Sequence, residues 1–133
     1  MNLLLLKPCN EGDHLDKFLI VTNNPNVFGK YPDSLLVDGS PVDVIREAGK
    51  FLVEGYVLWS SPLPPNGRLM ENPFRSLVLH KSEESSSSGR DFLLVQSAED
   101  RLSRMVFLSA EGPRGEDLAF MDLQLLEIAL QGV

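Results

Sequence analysis

Phe18-Leu19-Ile20-Val21 is an unbroken apolar run, closed by the turn cluster Thr22-Asn23-Asn24-Pro25. A run of this kind, bounded by turn formers, predicts a strand covered on both faces, as in a parallel sheet. Three similar segments follow. Leu35-Leu36-Val37 is stopped by Asp38-Gly39, and Tyr56-Val57-Leu58-Trp59 and Ser76-Leu77-Val78-Leu79-His80 come later. Ahead of them, residues 2–6 read as a short strand or an extension, and 7–16 as a loop. Residues 26–34 read as a connection with one helical turn.

Between the second and third strands the pattern changes to helical spacing. Ser40 can cap, Pro41 fits the first helical position, and Asp43 suits the positive end of the helix dipole. Val44, Ala48 and Leu52 recur every four residues, and Gly55 can close the helix with positive φ. A helix over 41–54 follows. Strand, helix and strand over 35–60 make a βαβ unit, whose right-handed crossover builds parallel sheet. A last helix is expected over 116–131. Leu118, Met121, Leu125 and Ile128 form one stripe on it, and Leu123, Leu126 and Leu130 a second. A helix apolar on so many sides is expected to bury more than one of them, in the core alone or in the core and a second copy of the chain.

The remaining stretches are weaker in pattern. Four prolines between residues 60 and 73 speak against regular structure there. Residues 81–90, with Ser85 to Ser88 and Gly89, read as a flexible loop. Residues 91–109 read as a strand near Phe92–Val95, a turn or short helix, and a second strand near Met105–Leu108. The expected fold is therefore a single α/β domain over 1–133, with three layers and a mainly parallel sheet.

Charge narrows the function. There are 12 basic and 19 acidic residues, a net charge of −7. Residues 1–66 carry 5 basic and 8 acidic groups, and residues 67–133 carry 7 and 11, so neither half hides a basic surface. Nucleic-acid binding needs such a surface. The lone cysteine, Cys9, excludes an internal disulfide and a cysteine zinc cluster. His14 and His80 carry no metal-site motif, and no metal or cofactor is expected. The four leucines at 3–6 are too few for a signal-peptide core, and no stretch reaches the length of a membrane span. A cytoplasmic protein without membrane contact is expected.

No phosphate-binding glycine loop and no nucleophile-elbow motif is present. Attention then falls on the carboxyl ends of the strands, where open α/β sheets place their ligands. Thr22-Asn23-Asn24-Pro25 and the loop Ser60 to Pro65 both fall there. Amides offer uncharged donors and acceptors, and prolines stiffen the loop around them. Turn formation alone also accounts for these residue types. Arg75, after Asn72-Pro73-Phe74, can clamp a carboxylate or phosphate, or pair with an acid of the protein itself. The candidate ligand-binding residues are Thr22, Asn23, Asn24, Ser61, Asn72 and Arg75.

These segments, in this order, resemble the GrdX family, small proteins encoded beside the glycine reductase complex of anaerobic bacteria. The resemblance rests on a strand ending in Thr22-Asn23-Asn24-Pro25, the helix near 41–54 and Pro62-Leu63 in a proline-rich loop. It also rests on Met70-Glu71-Asn72-Pro73-Phe74-Arg75-Ser76, which is similar to a block Asn-Glu-Thr-Pro-Tyr-Lys-Ser. Leu125 and the pair Glu127-Ile128 in the last helix are similar in style. The resemblance covers residues 18–80 and, more loosely, 117–130. Residues 1–16 and 81–110 read as additions to it. Ser61 stands where the family pattern leads one to expect histidine. The resemblance implies a tie to reductive metabolism of glycine or a related amine and names no catalytic residue. The expected function is an accessory or ligand-binding protein of such a reductase system, with a protein partner or a small anionic metabolite. The alternative is a small enzyme in which Asn23, Asn24 and Ser61 orient an anionic metabolite held by Arg75. A third reading is an interaction module that uses the final helix.

Overall fold

The computed structural model describes residues 17–64, 67–81 and 89–131. The order of elements is β1 (Lys17–Thr22), α1 (Pro25–Lys30), β2 (Leu35–Leu36), α2 (Pro41–Val53), β3 (Val57–Leu58), a 3-10 turn (Gly67–Glu71), β4 (Ser76–Lys81), α3 (Gly89–Leu102) and α4 (Gly112–Leu130). The strands form one sheet in the order β2-β1-β4-β3.

Alternation along the strands builds the two faces. Val21, Leu77 and Leu79 point to one side, where they meet Val44, Ile45, Ala48 and Leu52 of α2 and Val95, Ala98 and Leu102 of α3. Ile20 and Val78 point to the other, where they meet Val27 of α1 and Leu126 of α4. The register agrees, because Ile20 lies opposite Val78 and Val21 opposite Leu77. The result is three layers, with helices on both faces of the sheet. Ile45, Leu52, Leu77, Leu79 and Leu102 are almost fully enclosed. Burying a side chain of this size is worth roughly 1.5–3 kcal/mol, so this group anchors the larger core.

α2 forms as its sequence dictates. Ser40 and Asp43 make a reciprocal capping box, Pro41 opens the helix, and Gly55 follows it at φ 104°. The apolar positions 44, 45, 48 and 52 all lie on the buried side.

The mainly parallel sheet is corrected. Only β1 and β2 pair in parallel, whereas β1–β4 and β4–β3 are antiparallel. β2 and β3 do run in the same direction, but β1 and β4 lie between them. Nothing in an apolar run encodes its direction. β4 returns through the proline-rich loop and pairs with all six residues of β1.

Two further expectations change. Residues 92–95 belong to α3 and not to a strand. Val95, Ala98 and Leu102 make a helical stripe against α2, while Phe92, Leu93 and Leu94 face outward. No strand forms at 105–108, where the Leu108 N–H donates to the Glu71 carbonyl at 2.9 Å. On α4 the buried positions are Gly115, Ala119, Asp122 and Leu126, and Phe120, Met121 and Ile128 are exposed. The stretch 60–73 is not wholly irregular, since a 3-10 turn fits over Gly67–Glu71, a stretch that contains no proline. The readings for 1–16 lie outside the described residues, as does 82–88, the greater part of the expected loop.

Candidate functional site

β1 ends at Thr22, and β4, running the other way, begins at Ser76 directly opposite. Their hydroxyl oxygens are 2.7 Å apart. β3 ends on the same edge, where the Ser60 hydroxyl accepts from the Val78 N–H at 2.9 Å. The two sequence segments singled out above therefore flank one edge of the sheet, and α4 crosses beside it.

The asparagines hold this edge together. Asn24 caps α1 through Oδ1, which accepts from the Asn26 N–H at 3.0 Å. Its Nδ2 donates to the Ala119 carbonyl at 2.9 Å and to Asp122 Oδ2 at 3.0 Å. The Thr22 hydroxyl accepts from the Asn24 N–H. Asn23 joins three segments: Nδ2 donates to the carbonyls of Gly39 and Pro73, and Oδ1 accepts from the Arg75 N–H. Asn72 donates to the Leu118 carbonyl and accepts from the Phe74 N–H. Every polar side-chain atom of these three amides thus has an internal partner.

Beside them lies a cavity of about 260 Å³. Its polar lining is Ser60, Ser61, Asn72, Arg75, Ser76 and Asp122, and Leu63, Leu69, Phe74, Leu125 and Leu126 supply apolar walls. Arg75 is 94% buried. Its Nε and Nη2 are sealed from solvent and have no hydrogen-bond partner. Asp122, on the same cavity, acts on Arg75 electrostatically, yet the two form no direct ion pair. Burial pushes the Arg75 guanidinium below its ordinary value, and Asp122 acts against that shift. Arginine nonetheless keeps its charge in proteins.

Asp122 is 95% buried on α4. Its Oδ2 accepts from the Ser76 hydroxyl at 2.7 Å as well as from Asn24. Burial raises its pKa above the usual carboxylate value, opposed by these hydrogen bonds and by Arg75. Asn24, the cap of α1, and Ser76 of β4 thus converge on the buried Asp122 of α4, on the same cavity as the buried Arg75.

Of the six candidates, Ser61, Asn72 and Arg75 line this cavity. Asn23 borders a second cavity of about 500 Å³, shared with Val37, Asp38, Phe74 and Phe107. Thr22 and Asn24 line neither and act through Ser76 and Asp122. Ser60 heads the loop Ser60 to Pro65 that the sequence marked, though it was not among the six candidates, and Ser76 and Asp122 were not singled out as site residues. Asp122 had a visible signal: it is an acid at the spacing 115, 119, 122, 126 on a largely apolar helix. Among the described residues, no group of three His, Cys, Asp or Glu is arranged to hold a metal, and no helix is long and apolar enough to cross a membrane.

Fold and site together define a small α/β protein with a mixed sheet and an arginine-lined cavity at one sheet edge. The chain belongs to the family described as GrdX-like protein, whose model matches residues 19–131. The match takes in the stretch 81–110 that the sequence reading set apart. No curated protein and no solved structure matches the chain.

Proposed function

We propose that this protein is a non-enzymatic accessory protein of a glycine or amine reductase system, and that it works by holding a small anion in the cavity beside Arg75. The reductase context comes from the family resemblance. The anion site is supported above all by the guanidinium of Arg75, buried on a cavity wall with two N–H groups unpartnered. A buried guanidinium with no direct ion pair and unpartnered N–H groups is unfavourable, and a bound anion that accepts from them lessens that penalty.

The same geometry speaks against the enzyme reading. Asn23 and Asn24, which that reading uses to orient substrate, have all their side-chain polar atoms committed internally. Ser61 remains on the cavity wall, but its hydroxyl accepts from the Leu63 N–H, and among the described residues no base is hydrogen-bonded to it.

The test is a thermal-shift series of the full chain against sodium salts of acetate, sulfate and phosphate at matched ionic strength. A ligand at a hundred times its Kd adds about 2.7 kcal/mol of stability, which is a shift of several degrees. The shift is expected in the native protein and absent in Arg75→Met. A flat series, or a shift retained in that variant, overturns the anion site. Turnover lost on replacing Arg75 overturns the non-enzymatic part.

A further inference from the structure

We infer that the Arg75 cavity selects a small monocarboxylate carrying a short apolar tail, over phosphate, sulfate or any dianion. The inference rests on the anion-site reading above and specifies its ligand class.

Three observations carry it. The two unpartnered nitrogens of Arg75 are Nε and Nη2, not an arbitrary pair. Their N–H bonds lie parallel along one edge of the guanidinium plane, the edge that receives the two oxygens of a carboxylate. Neither nitrogen is reached by solvent, so the guanidinium must turn that edge toward the cavity that Arg75 lines. The turn costs no existing side-chain hydrogen bond or ion pair, because the guanidinium makes none.

The second observation is Asp122. It lines the same cavity; burial raises its pKa, and the hydrogen bonds from Asn24 and Ser76 and the charge of Arg75 oppose that rise and favour the carboxylate. With Asp122 ionised its charge already offsets that of Arg75, so a bound monoanion leaves the cavity at −1 and a dianion at −2. The dianion's second charge meets the Asp122 carboxylate in a low-dielectric space, where like charges repel strongly.

The third is size and lining. At about 260 Å³ the cavity lies below the usual range for drug-sized ligands. Leu63, Leu69, Phe74, Leu125 and Leu126 surround the polar end with hydrocarbon. A few-carbon aliphatic tail fills such a wall, and a tetrahedral oxyanion leaves it bare. The carboxylate could belong to a plain aliphatic acid or to an amino acid whose ammonium group faces Asp122. The carboxylate and tail are common to both.

The experiment is calorimetric titration of the full chain at pH 7 with isovalerate, valine, acetate, succinate, phosphate and sulfate, all as sodium salts or in matched sodium chloride. Isovalerate, valine or both are expected to bind saturably, at least tenfold more tightly than phosphate, sulfate and succinate. Isovalerate alone identifies an aliphatic acid, and preference for valine places the ammonium group on Asp122. Acetate is expected to be weaker than isovalerate. Arg75→Lys, which keeps the charge and loses the fork, is expected to cost the carboxylates tenfold or more and sulfate much less. Phosphate or sulfate binding as tightly as isovalerate and valine overturns the carboxylate assignment and leaves the anion site standing. No saturable binding by any of the six overturns both.

Discussion

The Ser76 hydroxyl donates to Asp122 Oδ2 over 2.7 Å, tying the first residue of β4 to the middle of α4. The same hydroxyl lies 2.7 Å from Thr22 Oγ1, so one oxygen joins two strands and a helix. Most of the layer between sheet and α4 is apolar. This polar seam fixes where α4 sits along the sheet and carries Asp122 to the cavity wall.

Ser76→Ala removes a donor from a buried carboxylate. We expect a loss of about 1–3 kcal/mol at pH 7, read by urea denaturation. The loss depends on pH, because Asp122 titrates above the usual carboxylate value in the folded chain. Below the unfolded value, near 3.8, the group is protonated in both states and the missing donor matters less. As pH rises through the folded value the carboxylate ionises and the variant loses further stability. A loss equal at pH 3 and pH 7 contradicts this account of the seam.

Much of the fold was legible. The apolar runs at 18–21, 35–37, 56–59 and 76–80 each contain a strand, and the cap, proline and glycine signals bracket α2 within one residue. Sheet order was not legible, because β4 enters between β1 and β3 through contacts remote in sequence. α3 was missed because Phe92, Leu93 and Leu94 look like a strand when read alone. Only the partner surface of α2 shows that Val95, Ala98 and Leu102 are the buried stripe. The site was half legible. Arg75 stood out as a cation beside prolines, whereas Asp122 becomes meaningful only when α4 lies over Ser76. The asparagines of 23–24 fall at the sheet edge beside the cavity, where their hydrogen bonds hold the chain.

Asn23 shows how firmly. Its amide bridges the carbonyls of Gly39 and Pro73 and receives the Arg75 N–H at 2.8 Å. Asn23→Ala removes three hydrogen bonds and frees the loop that positions Arg75. We expect a loss of about 2–4 kcal/mol, at roughly 1 kcal/mol for each bond. Asn23→Asp keeps the acceptor but turns the donor into a charged oxygen facing two carbonyls, and is expected to be worse than alanine. Equal stability of the two variants in chemical denaturation refutes the bridging role.

Gly55 follows α2 at φ 104°, where a side chain is strained. The space beside it is not crowded, since the nearest atom to an added Cβ is Lys81 Cε at 3.6 Å. Conformation and not collision therefore sets the cost of Gly55→Ala, about 1–2 kcal/mol. The melting temperature should fall by several degrees. A variant as stable as the native chain shows that the turn after α2 rearranges.

The last prediction separates stability from binding. Arg75 and Asp122 are buried opposite charges that share a cavity without pairing directly. Removing Arg75 alone takes from Asp122 the cation that favours its charged form, and removing Asp122 alone does the converse. Replacing both, as Arg75→Met with Asp122→Asn, removes both desolvation penalties and keeps an acceptor for Ser76 and Asn24. Such exchanges of buried charge are often neutral or stabilise by about 1–4 kcal/mol. We expect the double variant to match or exceed the native stability at pH 7 and to lose every anion-dependent shift in melting temperature. The excess should grow from pH 4 to pH 7, because the raised Asp122 value costs the native chain stability as the carboxylate ionises. A double variant that unfolds more readily than either single one shows that the two charges stabilise the fold and that the cavity is structural.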